Sequence, residues 1–226
     1  MKIAIYTLTR DRLEYTKHCF KTLKNKAGYE YDHFVLDNGS SDGTQDWLVE
    51  NESMFKKIVL CDSNLGISDG SNTILDIIYE TDDYDLIIKM DNDCEVISDN
   101  ILIDIVNVFS SKKTNNWVLS PRVTGIINQP KRGYKANINN YEIGLTSIVG
   151  GLFHIVKAET YKKYKYPIEL PKAWGQDDHF CDWLHKNHGI TGYIEDIIVN
   201  HYETTNGQAE RFPDYFKRKK IEEKNG

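Results

Sequence analysis

The sequence predicts an α/β chain with an open, mostly parallel central sheet and helices on both faces. Three observations predict it. Apolar, β-rich runs alternate with amphipathic stretches four times within the first 111 residues. The connections between them are short, as in consecutive βα units. The four runs lead into Thr9-Arg10, Asp37-Asn38, Asn64-Leu65-Gly66 and Asp91-Asn92-Asp93. Polar and acidic groups therefore converge on one rim, and open sheets of this kind bind ligands at the carboxyl ends of their strands.

Each element follows from its own pattern. KIAIYTL (2–8) is the first strand, and LEYTKHCFKTLKNKA (13–27) the first helix, with Leu13, Cys19, Phe20 and Leu23 at helical spacing. YDHFVLDNGSSDGT (31–44) is a strand running into an Asn-Gly loop, and TQDWLVENES (44–53) a helix capped by Thr44 or Asp42. KKIVLCDSN (56–64) is a third strand. GISDGSNTILDIIYETD (66–82) opens with a Gly-rich turn and becomes an amphipathic helix. YDLIIKMDND (84–93) is the fourth strand and NILIDIVNVFSS (100–111) the next helix.

Beyond residue 115 the pattern loosens. WVLSPRVTG (117–125) and TSIVGGLFHIVKAETY (146–161) read as strands, the second with a Gly150-Gly151 pair that permits close backbone approach. WGQDDHFCDWLHKNHG (174–189) reads as an acidic start to a helix that ends at Gly189. TGYIEDIIVNHYE (191–203) is a last strand carrying His201. The polar, basic tail predicts a peripheral helix or a partly ordered end, with KRKK (217–220) as a solvated helix face.

The bulk numbers bound the function. A chain of 226 residues is long enough for one α/β domain with a sizeable core, or a domain plus a short appendage. A net charge of −6 argues against a global basic field for nucleic acid. The four cysteines form no CxxC pair, which disfavours zinc and suits free thiols in a reducing compartment. The first apolar run is too short for a signal peptide, and no window approaches ~18 uninterrupted apolar residues. The expected location is cytoplasmic, at most peripheral to a membrane.

LIIKMDNDCEV (86–96) runs an apolar strand straight into two acids. Carboxylates one residue apart on an extended backbone point the same way and form a compact site of about two negative charges. A hard divalent cation is the natural compensator. Asp and Asn are also common turn residues, so the tripeptide alone leaves both readings open.

Four motifs in order narrow the choice. LDNGSSDGT (36–44), NLGISDGSN (64–72), MDNDCEV (90–96) and WGQDDHF (174–180) resemble those of GT-A-fold glycosyltransferases, most of all inverting family-2-type enzymes with rhamnosyltransferase-like members. The likeness runs from about residue 3 to 205. It implies a single catalytic domain, residues 1–205, with a Rossmann-like nucleotide-sugar half (1–97), an acceptor half (98–205) and a basic tail (206–226). It implies that Thr7, Thr9 and Arg10 touch the nucleotide and that Asp37 holds the nucleobase or ribose side. Asn64, Gly66 and Asn72 would line the nucleotide-sugar pocket. Asp91-Asn92-Asp93 corresponds to the DxD element: Asp93 would bind the metal directly, and Asp91 the ribose or a metal-bound water. His201 would be a further ligand, with Mn²⁺ or Mg²⁺ as the cofactor. The acidic pair before the late helix would supply the base. Where the family often reads Gly-Glu-Asp, this chain has Gly175-Gln176-Asp177-Asp178, so direct alignment selects Asp177 and Asp178 remains the alternative. Gly150, Gly151 and Trp174 are candidates for the acceptor side, Trp174 by stacking on a sugar face or else as core.

The chemistry wants these residue types. A departing diphosphate gains negative charge, which a divalent ion stabilises. The acceptor hydroxyl needs a carboxylate to take its proton, and a single displacement then inverts the anomeric centre. The expected function is a metal-dependent, inverting transfer from a UDP- or dTDP-type sugar to a glycan, lipid-linked sugar or protein, with a nucleic-acid acceptor disfavoured by the acidic balance. Two other readings compete. A relict nucleotide-sugar-binding module would lack either the metal acids or the base, and both are present. A nucleotidyltransferase normally carries a Gly-rich basic loop near its start, and YTLTRDRLEYT has no such glycines.

Overall fold

The computed structural model describes residues 1–126, 130–172, 174–203 and 205–225. The first three expected βα units and the strand of the fourth are present: β1 (Ile3–Thr9), α1 (Leu13–Lys26), β2 (Asp32–Asp37), α2 (Thr44–Glu50), β3 (Lys57–Leu60), α3 (Gly66–Thr81) and β4 (Leu86–Met90). Then come β5 (Cys94–Val96), α4 (Ile101–Phe109), β6 (Trp117–Thr124), β7 (Lys135–Ile138), β8 (Tyr141–Thr146), β9 (Phe153–Lys157) and α5 (Ala158–Tyr161). The chain closes with α6 (Gln176–Lys186), β10 (Ile190–His201), α7 (Thr205–Arg211) and α8 (Pro213–Asn225).

All the strands belong to one sheet, in the order β3-β2-β1-β4-β9-β6-β10-β8-β7, with β5 paired to β10. β1 to β4 are parallel, as the βα repeats require. β9 runs antiparallel between β4 and β6, and so joins the two halves into one sheet.

Alternation along the strands builds a core on each face. Ile3, Ile5, Leu86 and Ile88 meet Phe20 and Leu23 of α1 and Ile101 and Ile105 of α4. Ala4, Tyr6, Phe34 and Ile87 meet Ile74 and Ile78 of α3, Tyr161 of α5 and Phe180 of α6. Both faces are covered, so β4 is apolar at nearly every position, as a doubly packed strand must be.

Three expectations are corrected. β5, β7 and β8 were not foreseen, being short or only partly buried. The stretch 146–161 is not one strand: Gly150 and Gly151 lie in the turn before β9, and 158–161 is helical. Gly43, not Thr44 or Asp42, is the residue preceding α2. Asp42 instead accepts hydrogen bonds from the Leu13 and Thr44 amides, tying α1 to α2. Among the described residues no helix is long and apolar enough to cross a membrane.

Candidate active site

The carboxyl ends of β1, β2 and β4 and the start of α3 surround a cleft of about 250 Å³. Thr9, Arg10, Asn64, Gly66, Asp91, Asn92, Asp93 and His201 of the expected set line it. They come from the rim that strand-end polarity predicted.

The backbone after β1 is strained. Asp11 and Arg12 both adopt left-handed conformations, with φ of 50° and 58°, each costing about 1–2 kcal/mol for a residue with a side chain. The turn is held by the Asp11 amide donating to Ser40 Oγ at 2.7 Å and by the Ser41 amide donating to Asp11 Oδ1 at 2.8 Å. The geometry turns the Arg12 guanidinium inward. It donates to Asp93 Oδ2 at 3.0 Å, Asn92 Oδ1 at 2.8 Å and Gln208 Oε1 at 2.8 Å.

The two acids of the DND stretch do not share a strand face, contrary to the sequence expectation. β4 ends at Met90, and the Cys94 amide donates to the Asp91 carbonyl at 3.1 Å, closing a turn. The turn sends the side chains to different partners. Asp91 Oδ1 accepts from Lys89 Nζ at 2.7 Å. Asp93 Oδ2 accepts from Arg12 and, at 3.1 Å, from Gln208 Nε2. Burial works against the Asp93 charge, but Arg12 and then His201 and Gln208 outweigh it and hold the carboxyl below its usual range. Burial pushes the Asp91 carboxyl up against the opposing charge of Lys89, and the Asp93 and Asp177 charges add to the rise.

His201 is set up as a ligand would be. Its Nδ1 donates to the Glu203 carbonyl at 2.5 Å. In the neutral ring this leaves the Nε2 lone pair 3.6 Å from Asp93 Oδ2, too far for a hydrogen bond. A carbonyl accepting from the other ring nitrogen is what orients metal-bound histidines. Among the described residues no group of three or more His, Cys, Asp or Glu side chains could hold an ion by itself. The carboxylate–imidazole pair of Asp93 and His201 instead fits a divalent cation that completes its shell with phosphate oxygens.

Lys89 was missed by the sequence reading. It is 4% exposed on a strand that is otherwise apolar. Burying such a charge unpaired costs several kcal/mol. Besides Asp91, its Nζ donates to the Gly151 carbonyl at 2.6 Å. Gly151 in turn abuts Asp177: a Cβ there would lie 2.4 Å from both carboxylate oxygens. Asp91, Lys89, Gly151 and Asp177 thus form one connected line. Burial opposes the Lys89 charge, yet Asp91 and Asp177 raise its pKa above the ordinary value.

α6 sets which acid faces this line. Gln176, 2% exposed, turns inward and donates to the Pro171 carbonyl at 2.6 Å. Asp177 then faces Gly151, and Asp178 is exposed. Trp174 is 62% exposed, not core.

Other expected residues stand outside the cleft lining. Thr7 is buried with its hydroxyl 3.1 Å from His33 Nε2. Asn72 exchanges hydrogen bonds with the Tyr166 backbone at 2.8 and 2.9 Å. Asp37 is fully buried and accepts from Thr9 Oγ1, the Ser40 amide and Gln45 Nε2, each at 2.8 Å, and from Ser40 Oγ at 2.6 Å. Gly150 donates its amide to Tyr193 Oη at 3.1 Å.

The tail is not peripheral. Gln208 of α7 is 3% exposed, and Tyr215, Phe216 and Lys219 of α8 line the cleft. Arg218 pairs with Asp11, so KRKK is only in part a solvated face. In the sequence, Lys89 was signalled by a charge inside an apolar run. Arg12 and Gln208 carried no local signal, because the Asp93 carboxylate they both meet lies 81 and 115 residues away.

Residues 4–156 match the family model described as glycosyl transferase family 2. No curated protein matches. Residues 1–349 of S. aureus TarS in complex with UDP-GlcNAc superpose with a TM-score of 0.68 at 14% identity, over 88% of this chain and 58% of that one. The mannosyltransferase PcManGT from Pyrobaculum calidifontis, in complex with GDP-Man and Mn²⁺, gives 0.65 at 12% identity over 91% and 58%. GalNAc-T7 with UDP, GalNAc and Mn²⁺ gives 0.67 at 10% identity over 89% and 44%. The chain spans less than two thirds of each of these structures, and at such identities the likeness establishes a shared GT-A fold. With more than half of its length matched by the family model, and with that fold around a polar strand-end cleft, the chain belongs to glycosyl transferase family 2.

Proposed function

We propose that the protein moves a sugar from a nucleoside diphosphate, of UDP or dTDP type, to an acceptor hydroxyl by a single, inverting displacement that uses Mn²⁺ or Mg²⁺. The observation that carries the metal reading is the His201–Asp93 pair: an imidazole Nε2 3.6 Å from a carboxylate oxygen, with its other nitrogen held by the Glu203 carbonyl. Solved relatives of this fold with Mn²⁺ bound add support.

The roles follow from position. Asp93 and His201 would hold the ion, which when bound supplies charge to stabilise the departing diphosphate. Arg12 keeps Asp93 ionised and oriented. Asp91, held by Lys89, would meet the ribose or a metal-bound water. Thr9, Arg10, Asn64, Gly66 and Asn92 would bound the donor, with Thr7, Asp37 and Asn72 supporting it from within the scaffold. Asp177 would take the acceptor proton: its carboxylate rests on Gly151, at the far end of the line through Lys89 to Asp91. Trp174, exposed one residue before the turn into α6, would flank the acceptor beside Gly150 and Gly151.

The test is metal binding followed directly. Titrating Mn²⁺ in the presence of UDP, read by electron paramagnetic resonance, should show Asp93→Asn and His201→Ala each weakening Mn²⁺ by tenfold or more, with circular dichroism unchanged. Wild-type Mn²⁺ affinity in both folded variants would remove the pair from the metal site.

A further inference from the structure

We infer that the C-terminal helix α8 is part of the donor site, and that Lys219 on it, together with Lys172 across the cleft, holds the donor's diphosphate. The inference rests on the nucleotide-sugar reading and extends it to residues beyond the family-model match, which ends at 156.

The first observation is placement. Lys219 and Lys172 line the same cleft as Gly66, Asp91 and Asp93. Lys219 stands one helical turn beyond Tyr215, so both project from one face of α8. That face is anchored. The Arg12 guanidinium lies 4.7 Å from the centre of the Tyr215 ring, and Arg218 pairs with Asp11, itself 4% exposed. Lys172 is anchored as well: its carbonyl accepts from the Ile67 amide at 2.9 Å and its Nζ donates to the Asn64 carbonyl at 3.1 Å. Its stem crosses so close to Gly66 that a Cβ there would lie 3.0 Å from Lys172 Cγ.

The second observation is charge. The chain carries −6 overall, yet Arg12, Lys89, Lys172 and Lys219 line the cleft together with the two carboxylates of Asp91 and Asp93. Arg12 is matched by Asp93, and Lys89 by Asp91. That leaves Lys172, packed on Gly66 at the first residue of α3, and Lys219 on α8 as the surplus. An excess of positive side chains in one cleft suits a ligand with two or more negative charges. A diphosphate meets this description and a neutral sugar does not.

The experiment measures binding to the full chain by calorimetry, with UDP, dTDP and GDP and the corresponding nucleosides as probes, in EDTA and in Mn²⁺. Lys219→Ala and Lys172→Ala should each weaken the preferred diphosphate by about tenfold, the usual worth of a charged hydrogen bond. Each should leave its nucleoside within twofold of wild type, which also reports an intact fold. Lys217→Ala and Lys220→Ala, on the exposed side of α8, should match wild type for both. A Lys219→Ala protein that binds the diphosphate as wild type does, or loses diphosphate and nucleoside equally, would overturn the inference alone. A wild-type protein that binds none of the three diphosphates would overturn the nucleotide-sugar reading beneath it.

Discussion

At the scale of single residues, the site is governed by how few charges are left unmatched. Lys89 is the clearest case, since a buried ammonium on a core strand is tolerated only because Asp91 and the Gly151 carbonyl both meet it. The same residue ties Asp91 at the end of β4 to the Gly150-Gly151 turn. Asp177 occupies a position that only glycine at 151 permits, whereas Asp178 points to solvent. Asp177→Asn should therefore lower turnover by roughly 10²–10⁴-fold, the usual contribution of a positioned base, with donor affinity near wild type. Asp178→Asn should change turnover far less. Donor hydrolysis and UDP affinity, measured separately in each variant, decide between them. A dead Asp178→Asn enzyme beside an active Asp177→Asn enzyme would reverse the assignment.

At the scale of elements, the ends of the parallel strands do two jobs. The end of β2 is structural in its contacts: the Asp37 carboxylate gathers Thr9 from β1, Ser40 from the following loop and Gln45 from α2. Asp37→Ala would strand these donors around a small void. Unfolding free energy should fall by about 2–4 kcal/mol, the range for losing a buried, multiply bonded carboxylate. Urea denaturation measures it, and a loss below 1 kcal/mol would refute the bracing role. The end of β4 is different, because its turn leaves Asp91 and Asp93 facing the cleft. Four polar strand ends were legible from the sequence as one rim. Which of them braces and which presents its groups was not, because that depends on neighbours supplied by other elements.

At the scale of the whole molecule, one sheet with a core on each face carries both halves, and the last two helices return over the cleft. The N-terminal half also contains a built-in sensitivity to acid. His33 is 4% exposed among Phe20, Phe55 and Thr7, and burial lowers its pKa to about 3. The unfolded chain takes up that proton near pH 6.5, while the folded protein resists until about pH 3. Stability is thus complete above the unfolded value and falls as pH drops through this window, by about 1.4 kcal/mol per pH unit. His33→Leu should flatten the dependence of the urea midpoint between pH 6 and 4. Parallel slopes in the variant and wild type would show that another group carries the effect.

By itself, the sequence determined the order of βα units, the rim where ligand chemistry collects, the family and the acids worth testing. These are local properties: period-two and helical apolar spacing, turn residues at strand ends, and short motifs in order. Only the tertiary structure decided where those acids stand and what they touch. The turn at Asp91-Asn92-Asp93 splits two carboxylates that extended geometry would have kept together. Gln176 turns inward, and Asp177 rather than its neighbour stands against Gly151. Arg12 reaches Asp93 across 81 positions, and Gln208 reaches it across 115. The tail, which reads as polar and peripheral, becomes a wall of the cleft because its partners, Asp11 and Arg12, lie at the other end of the chain. Such pairings leave no periodic trace in a sequence, since a charge is matched by proximity in space and proximity is set by the folded sheet.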